Sequence, residues 1–323
     1  MHSTPTDRRA FLKVAAGTLA AGWSAAGWPV VTAAPPASAA HAIRLGGPIF
    51  KAPHDPEELA LAHKKLGYRA AYCPGVALDD KERIRDISRA FEKHGVMLAE
   101  VGRWVNLLDA DPRKRAENLK KVTEGLALAE AIGARSCVDI AGSFNPQVWF
   151  GPHPDNLSPR FLDAAVENAR KIIDAVKPKR AKFSYEVMGW ALPDCPDAYL
   201  KMIKAVDREA FAVHLDPCNL VNSPTRFYDT TALLNECFDK LGPWIVSCHA
   251  KDIAWSNPVE MQVHIIEILP GKGVLDYSTY LKRLAALPGD VPLMLEHLKT
   301  AEEYDKARHY IMDTGSRAGV RFE

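Results

Sequence analysis

The strongest constraint in this sequence is a rhythm. From residue 43 onward, short apolar runs alternate with amphipathic segments eight times. The runs are IRLGGPIF (43–50), YRAAYCPG (68–75), VMLAEVG (96–102), RSCVDIAG (135–142), KFSYEVMG (182–189), FAVHLDP (211–217), IVSCHAKD (245–252) and PLMLEHL (292–298). They are apolar on both faces rather than alternating, the pattern of strands buried in a parallel sheet with helices outside. A helical segment follows each one, with its own punctuation. Asp55 as N-cap, Pro56 at the first helical position and Glu58 open a helix whose Leu59, Ala62 and Leu66 share a face and which Gly67 ends. Asp111-Pro112 opens another that keeps Leu119, Val122 and Leu126 in phase and stops at Gly133. Thr300 with Glu303 caps the last.

Eight such units in about 280 residues fit the usual length of a (β/α)8 barrel, roughly 250 residues. The expected fold class is therefore α/β, a (β/α)8 TIM barrel, with a doubly wound open sheet as the alternative. No linker, low-complexity tract or composition break interrupts the chain after residue 43, so residues 40–323 read as one domain.

Residues 1–39 read as an address. DRRAFLK (7–13) is similar to the twin-arginine export motif; an Ala/Gly-rich apolar stretch follows and ends at the small residues ASA (37–39). A removable signal and a periplasmic destination are expected, with a membrane anchor as the alternative that Pro29, Pro35 and Pro36 disfavour. Of 41 basic and 40 acidic residues this segment holds Arg8, Arg9, Lys13 and Asp7, leaving 38 and 39. So balanced a chain has no global field to draw nucleic acid or an anionic membrane. After signal removal no stable membrane insertion is expected, and a homo-oligomer is compatible with the sequence. The six cysteines show no CxxC spacing and are expected to be buried free thiols.

In such a barrel the C-terminal strand ends surround the active site. The last four strands each put an ionisable group there: Glu186, Asp216, His249 and Glu296, separated by 30, 33 and 47 residues. The first two separations are near one βα unit; the third is longer because residues 253–274 form a long loop. Three carboxylates and an imidazole brought to one point would repel unless a cation joined them. A divalent metal answers this. Oxygen-rich ligation with one histidine favours Mn²⁺, with Mg²⁺ or Co²⁺ as alternatives, over a closed zinc site. The bland alternative for each residue alone is a helix cap, a salt bridge or a core histidine; four at one phase of four consecutive units is harder to obtain that way.

These motifs resemble the xylose isomerase-like TIM-barrel superfamily, in particular its sugar phosphate isomerase/epimerase branch, which includes D-tagatose 3-epimerase. The resemblance rests on the Glu, Asp, His, Glu series, on HAKD (249–252) and on LPGKGVLDY (269–277), similar to the family's glycine-rich loop, and it covers the whole mature chain. It implies an enzyme in which Glu186 and Glu296 are both metal ligands and catalytic groups on opposite faces of a ketose: one removes the proton α to the carbonyl, the other returns a proton after a cis-enediolate. Lys251 and Asp252 would orient hydroxyls, with an ion-pair role as the alternative for Lys251. Where the family's epimerases carry a histidine three residues after the metal-binding aspartate, this chain has Asn219, which can hydrogen-bond a sugar but cannot carry charge.

Further candidates near strand ends are Glu100, Arg103, Asp139 and Asn145 as hydroxyl binders, Trp104, Trp149, Phe150 and Trp255 as stacking platforms, and His214, which shares a strand face with Asp216 and has a place behind the ligands as its alternative. The expected partner is a small carbohydrate without phosphate, since no basic phosphate grip is evident and an exported enzyme would not meet sugar phosphates. Two outcomes share one site: isomerisation or epimerisation of a free ketose or keto-glycoside, and lyase chemistry that expels the aglycone of a 3-keto-glycoside. A noncatalytic sugar-binding protein is the alternative of another class. The related DNA-repair endonucleases need more histidines and a basic face, which this chain lacks.

Overall fold

Helix starts are set by side chains that satisfy the first free backbone amides. In the computed structural model, which describes residues 41–256 and 262–323, Asp55 accepts from Glu58 N at the start of α1 (Pro56–Lys65), and Asp111 accepts from Arg113 N at the start of α3 (Pro112–Ile132). Gly133 ends α3 at φ 81°, a left-handed conformation that glycine adopts without a Cβ clash. Thr300 and Glu303 form a reciprocal capping box on the terminal helix, α9 (Ala301–Arg317). The expected export signal lies outside the described residues.

The strands are β1 (Leu45–Gly46), β2 (Ala70–Tyr72), β3 (Met97–Gly102), β4 (Ser136–Asp139), β5 (Lys182–Glu186), β6 (Phe211–Leu215), β7 (Ile245–Ala250), β8 (Asp252–Trp255), β9 (Ile265–Ile268) and β10 (Leu293–Leu295). Eight of them close a parallel barrel in the order β1-β10-β7-β6-β5-β4-β3-β2. The remaining helices are α2 (Lys81–His94), α4 (Pro159–Val176), α5 (Pro196–Val206), α6 (Pro224–Tyr228), α7 (Thr230–Leu241) and α8 (Tyr277–Ala285). All eight expected strands are present, shorter than their apolar runs. Parallel pairing explains both the closure and the hydrophobicity: each strand is covered by helices outside and by neighbours inside.

Inside the barrel Met294 packs with Ala70 and Ala99. A Cβ on Gly46 would stand 2.5 Å from Met294 Sδ, so glycine there makes room for the plug. The long segment after β7 is not a simple loop: β8 and β9 pair antiparallel, Ile253 opposite Glu267, outside the barrel. All six cysteines are free, four of them buried. No described helix is long and apolar enough to cross a membrane.

Candidate metal centre and active site

Register brings the expected residues together. Glu186 closes β5 and pairs with His214 of β6; Asp216 follows β6; His249 lies in β7 opposite Met294 of β10, and Glu296 follows β10. One ligand atom from each of Glu186, Asp216, His249 and Glu296 lies within 4.8 Å of all the others. His249 Nδ1 is 2.9 Å from Glu186 Oε1, 3.0 Å from Glu296 Oε2 and 3.9 Å from Asp216 Oδ2. Its Nε2 faces the other way, 3.0 Å from Glu100 Oε1.

The electrostatics follow from this crowding. Burial works against a charged His249, but the carboxylates of Glu296 and Glu100 outweigh it and hold its pKa well above the usual histidine range. Burial pushes the Glu186 carboxyl up to about 7, against the pull of His249. Glu296 goes the other way: burial would raise it, but the imidazole of His249 and the ammonium of Lys251 hold it well below the usual carboxylate range. His249 Nδ1 reaches both glutamates, and Lys251 Nζ lies 2.8 Å from Glu296 Oε2 and 2.7 Å from Asp216 Oδ2.

The donor set fits a divalent cation. Asp216 Oδ2 and Glu296 Oε2 are buried and form ion pairs with Lys251 Nζ, but neither has a hydrogen-bond partner among the described residues. Lys251 brings a single charge to a site of three buried carboxylates, and a divalent cation held by all three would lower the cost of their burial further. Three carboxylates and one imidazole suit Mn²⁺, Mg²⁺ or Co²⁺. Glu100, His214 and His249 bring ligand atoms within 4.8 Å of one another too. Here His249 contributes its second nitrogen, so Glu100 acts as the carboxylate that fixes the ring.

At the cluster opens a cavity of about 330 Å³, lined by Glu186, Asn219, Lys251, Glu267, Glu296 and His297 together with apolar side chains including Trp104, Trp149, Phe150 and Trp190. A larger cleft of about 630 Å³ beside α3 and α4, bordered by Arg115, Arg160 and Lys171, contains none of the converging acids.

Several expected sugar contacts lie elsewhere. Glu100 faces inward but two residues short of the end of β3, beneath the cluster and away from the cavity. His214 is fully buried beside it, 3.4 Å from Glu100 Oε2 and bonded through Nδ1 to Ser247 Oγ. Burial and the neighbouring His249 charge drive its pKa well down. Asp139 pairs in register with Tyr185, whose hydroxyl donates to Ala165 O of α4; both therefore face the helices, and Asp139 accepts from Val105 N and Ile140 N. Asp252 belongs to β8, in the two-stranded sheet outside the barrel, and accepts from the backbone amides of Ile253, Gly271, Gly273 and Leu275.

Arg103 packs against Gly125, and Trp255 stacks on Tyr228. Asn145 accepts from Gln147 N and Val148 N, shaping the loop that carries Trp149 and Phe150. Asn219 and Lys251 do line the cavity, and Asn219 Nδ2 donates to Val187 O.

Glu267, His297 and Trp190 escaped the sequence reading. Glu267 arrives on β9, with Oε2 2.8 Å from His297 Nδ1 and Oε1 3.2 Å from Lys251 Nζ. His297 sits at φ 59°, a conformation a pattern of residue types does not reveal. The adjacency of Glu296 and His297 was the available signal.

A closed parallel βα barrel with acids and one imidazole gathered at its C-terminal mouth carries its polar cluster where (β/α)8 barrels keep their active sites. The chain belongs to the Xylose isomerase-like TIM barrel family, whose profile matches residues 61–314. Among solved structures, a xylose isomerase-like TIM barrel protein from Mycobacterium smegmatis in complex with magnesium is 20% identical, with a TM-score of 0.60 over 86% of this chain and 97% of that one. The 3-keto-D-glucoside 4-epimerase from E. coli is 17% identical, with a TM-score of 0.59 over 86% and 99%. D-Psicose 3-epimerase from Clostridium cellulolyticum, solved with D-tagatose, is 13% identical, with a TM-score of 0.61 over 86% and 100%. At such identities the likeness establishes the fold. No curated protein matches the sequence.

Proposed function

We propose that this chain is a divalent-metal-dependent isomerase or epimerase that removes a proton α to the carbonyl of a free ketose or keto-glycoside and passes through a cis-enediolate. The observation that carries the reading is the meeting of Glu186 and Glu296, three strands apart around the barrel, with Asp216 and His249 within 4.8 Å at the floor of the cavity. An α-proton is too weakly acidic for an isolated carboxylate, so developing negative charge must meet a preplaced positive one. A metal bound by Glu186, Asp216, His249 and Glu296, with Mn²⁺ first among the choices, would supply that charge.

The chain's own residues do the rest. Glu186 and Glu296 reach the substrate from two sides of the mouth as base and acid. Lys251, whose Nζ already neutralises Asp216 and Glu296, directs its ammonium toward substrate oxygens as well. Glu100 holds the His249 ring with Nδ1 toward the acids.

The same proton removal at C2 of a 3-keto-glycoside sets up expulsion of the C1 aglycone, and the apolar lining of the cavity favours keeping this lyase outcome as the second reading. The sequence of residues 7–39 supports twin-arginine export to the periplasm. The deciding experiment incubates the metal-restored protein with a 3-keto-glucoside in deuterated water. Deuterium incorporation with the glycosidic bond intact supports epimerisation, and released aglycone supports the lyase. No turnover of any keto sugar, with sugar binding retained, would leave a binding protein.

A further inference from the structure

Three of the chain's seven tryptophans face the cavity at the barrel mouth. Trp104, Trp149, Phe150 and Trp190 are 37%, 39%, 40% and 42% exposed, an unusual amount of aromatic surface to leave in water beside a cluster of buried acids. They come from three different loops, after β3, β4 and β5.

The wall is built. Trp190 Nε1 donates to Phe150 O at 2.7 Å, which ties the loop after β5 to the loop after β4. The rings of Trp149 and Phe150 meet edge to face with centroids 5.1 Å apart. Trp104 takes φ 22°, a strained backbone value for a residue with a side chain. A Cβ on Gly102 would lie 2.6 Å from the Trp104 indole nitrogen, so glycine at that strand end leaves the indole its place.

We propose that this aromatic wall is a second ring-binding subsite, and that the substrate is a keto-glycoside whose aglycone is itself a ring with an apolar face. The inference rests on the proposed function, because the acids must hold the reacting sugar for the wall to meet what is attached to it. The acids and the aromatic rings line the same cavity, with the Trp104 ring 6.4 Å from that of His249 and with Trp149, Phe150 and Trp190 carried on the loops after β4 and β5, so a ring attached to a sugar held at the acids meets aromatic surface. A second ring covers it by stacking, as sugar faces and aryl groups both do on indole. A cavity of about 330 Å³ lies within the range of pockets that enclose ligands of more than one ring, roughly 300–1,000 Å³.

The test uses ligands that cannot enolise, so it reads binding apart from turnover. Calorimetry on the Mn²⁺-restored protein compares methyl glucoside, phenyl glucoside and cellobiose. At least one two-ring ligand is expected to bind about tenfold or more tighter than methyl glucoside, and the double variant Trp149→Ala/Trp190→Ala to lower it to the level of methyl glucoside. Trp190→Phe, which keeps a ring, retains most of the advantage, and this separates stacking from misfolding. Preference for cellobiose alone identifies the second ring as a sugar; preference for phenyl glucoside alone identifies it as an aryl group. Equal affinities, no binding of either two-ring ligand, or an advantage that survives the double substitution would overturn the proposal. A keto sugar that fails to turn over while the tryptophan-dependent difference stands would count against the proposed function alone.

Discussion

The two halves of the barrel mouth are made in different ways. β5, β6, β7 and β10 deliver their chemistry from the strands or one residue beyond them: Glu186 ends β5, Asp216 follows β6, His249 lies in β7 and Glu296 follows β10. β1 to β4 place no ionisable group in the cavity; what reaches it from β3 and β4 is Trp104, Ile140, Trp149 and Phe150, all beyond the strand ends. Strand-borne groups inherit their position from a hydrogen-bonded register that cannot shift by one residue without turning every side chain over. Loop-borne groups are free of that constraint. The late half is therefore suited to chemistry and the early half to selection.

The contrast breaks most directly at the acids. Glu186→Gln or Glu296→Gln should lower turnover of a 3-keto-glucoside by about 10² to 10⁴ while near-UV circular dichroism stays native. Trp104→Ala should act mainly through KM. Equal losses of kcat from both halves would refute the division of labour.

Buried histidines sharpen it next. His249 is surrounded by acids, whereas His63 of α1, only 4% exposed, packs between the rings of Tyr68 and Phe91 with Nδ1 unpartnered among the described residues. Burial pushes its pKa down to about 4. The unfolded chain, with histidine near 6.5, then binds the proton first as pH falls, so stability is full above about 6.5 and is lost progressively down to about 4. Urea unfolding at pH 7 and 4.5 should show His63→Leu escaping about 2 kcal/mol of that acid loss; parallel pH slopes in the two proteins would refute it.

Glu100 tests whether β3 supports the late half from below. Glu100→Gln keeps an acceptor for His249 Nε2 but removes the charge, and calorimetry should show Mn²⁺ affinity falling about tenfold, the low end of what such supporting carboxylates contribute. Unchanged affinity would reduce Glu100 to core filling. The smallest effect belongs to the helix that follows β10. Thr300→Ala removes the capping box of α9 and should lower stability by about 1 kcal/mol, read from the urea midpoint, with Mn²⁺ affinity intact.

Much of this was legible because periodicity survives in a single sequence. The eight apolar runs and the caps at Asp55, Asp111 and Thr300 mark the barrel, and the recurrence of Glu186, Asp216, His249 and Glu296 at one phase anticipates their convergence. Direction was harder to read. Asp139 and Glu186 both end strands, but Asp139 is in register with Tyr185, so the pleat turns it outward. Asp252 looks continuous with HAKD, but β7 ends at Ala250 and Asp252 opens β8 of the separate two-stranded sheet. Glu267 was missed because its run, IIEI, falls in the segment read as a loop and pairs with β8 outside the barrel repeat.

Asp252 carries one further consequence. It gathers the amides of Gly271, Gly273 and Leu275 directly beside Lys251, and a Cβ on Gly273 would collide with its carboxylate. The ammonium that steadies the acids and the chain's approach to α8 thus hang from one two-residue span. Among descendants of this chain, insertions and deletions should spare the stretch from Leu269 to Tyr277.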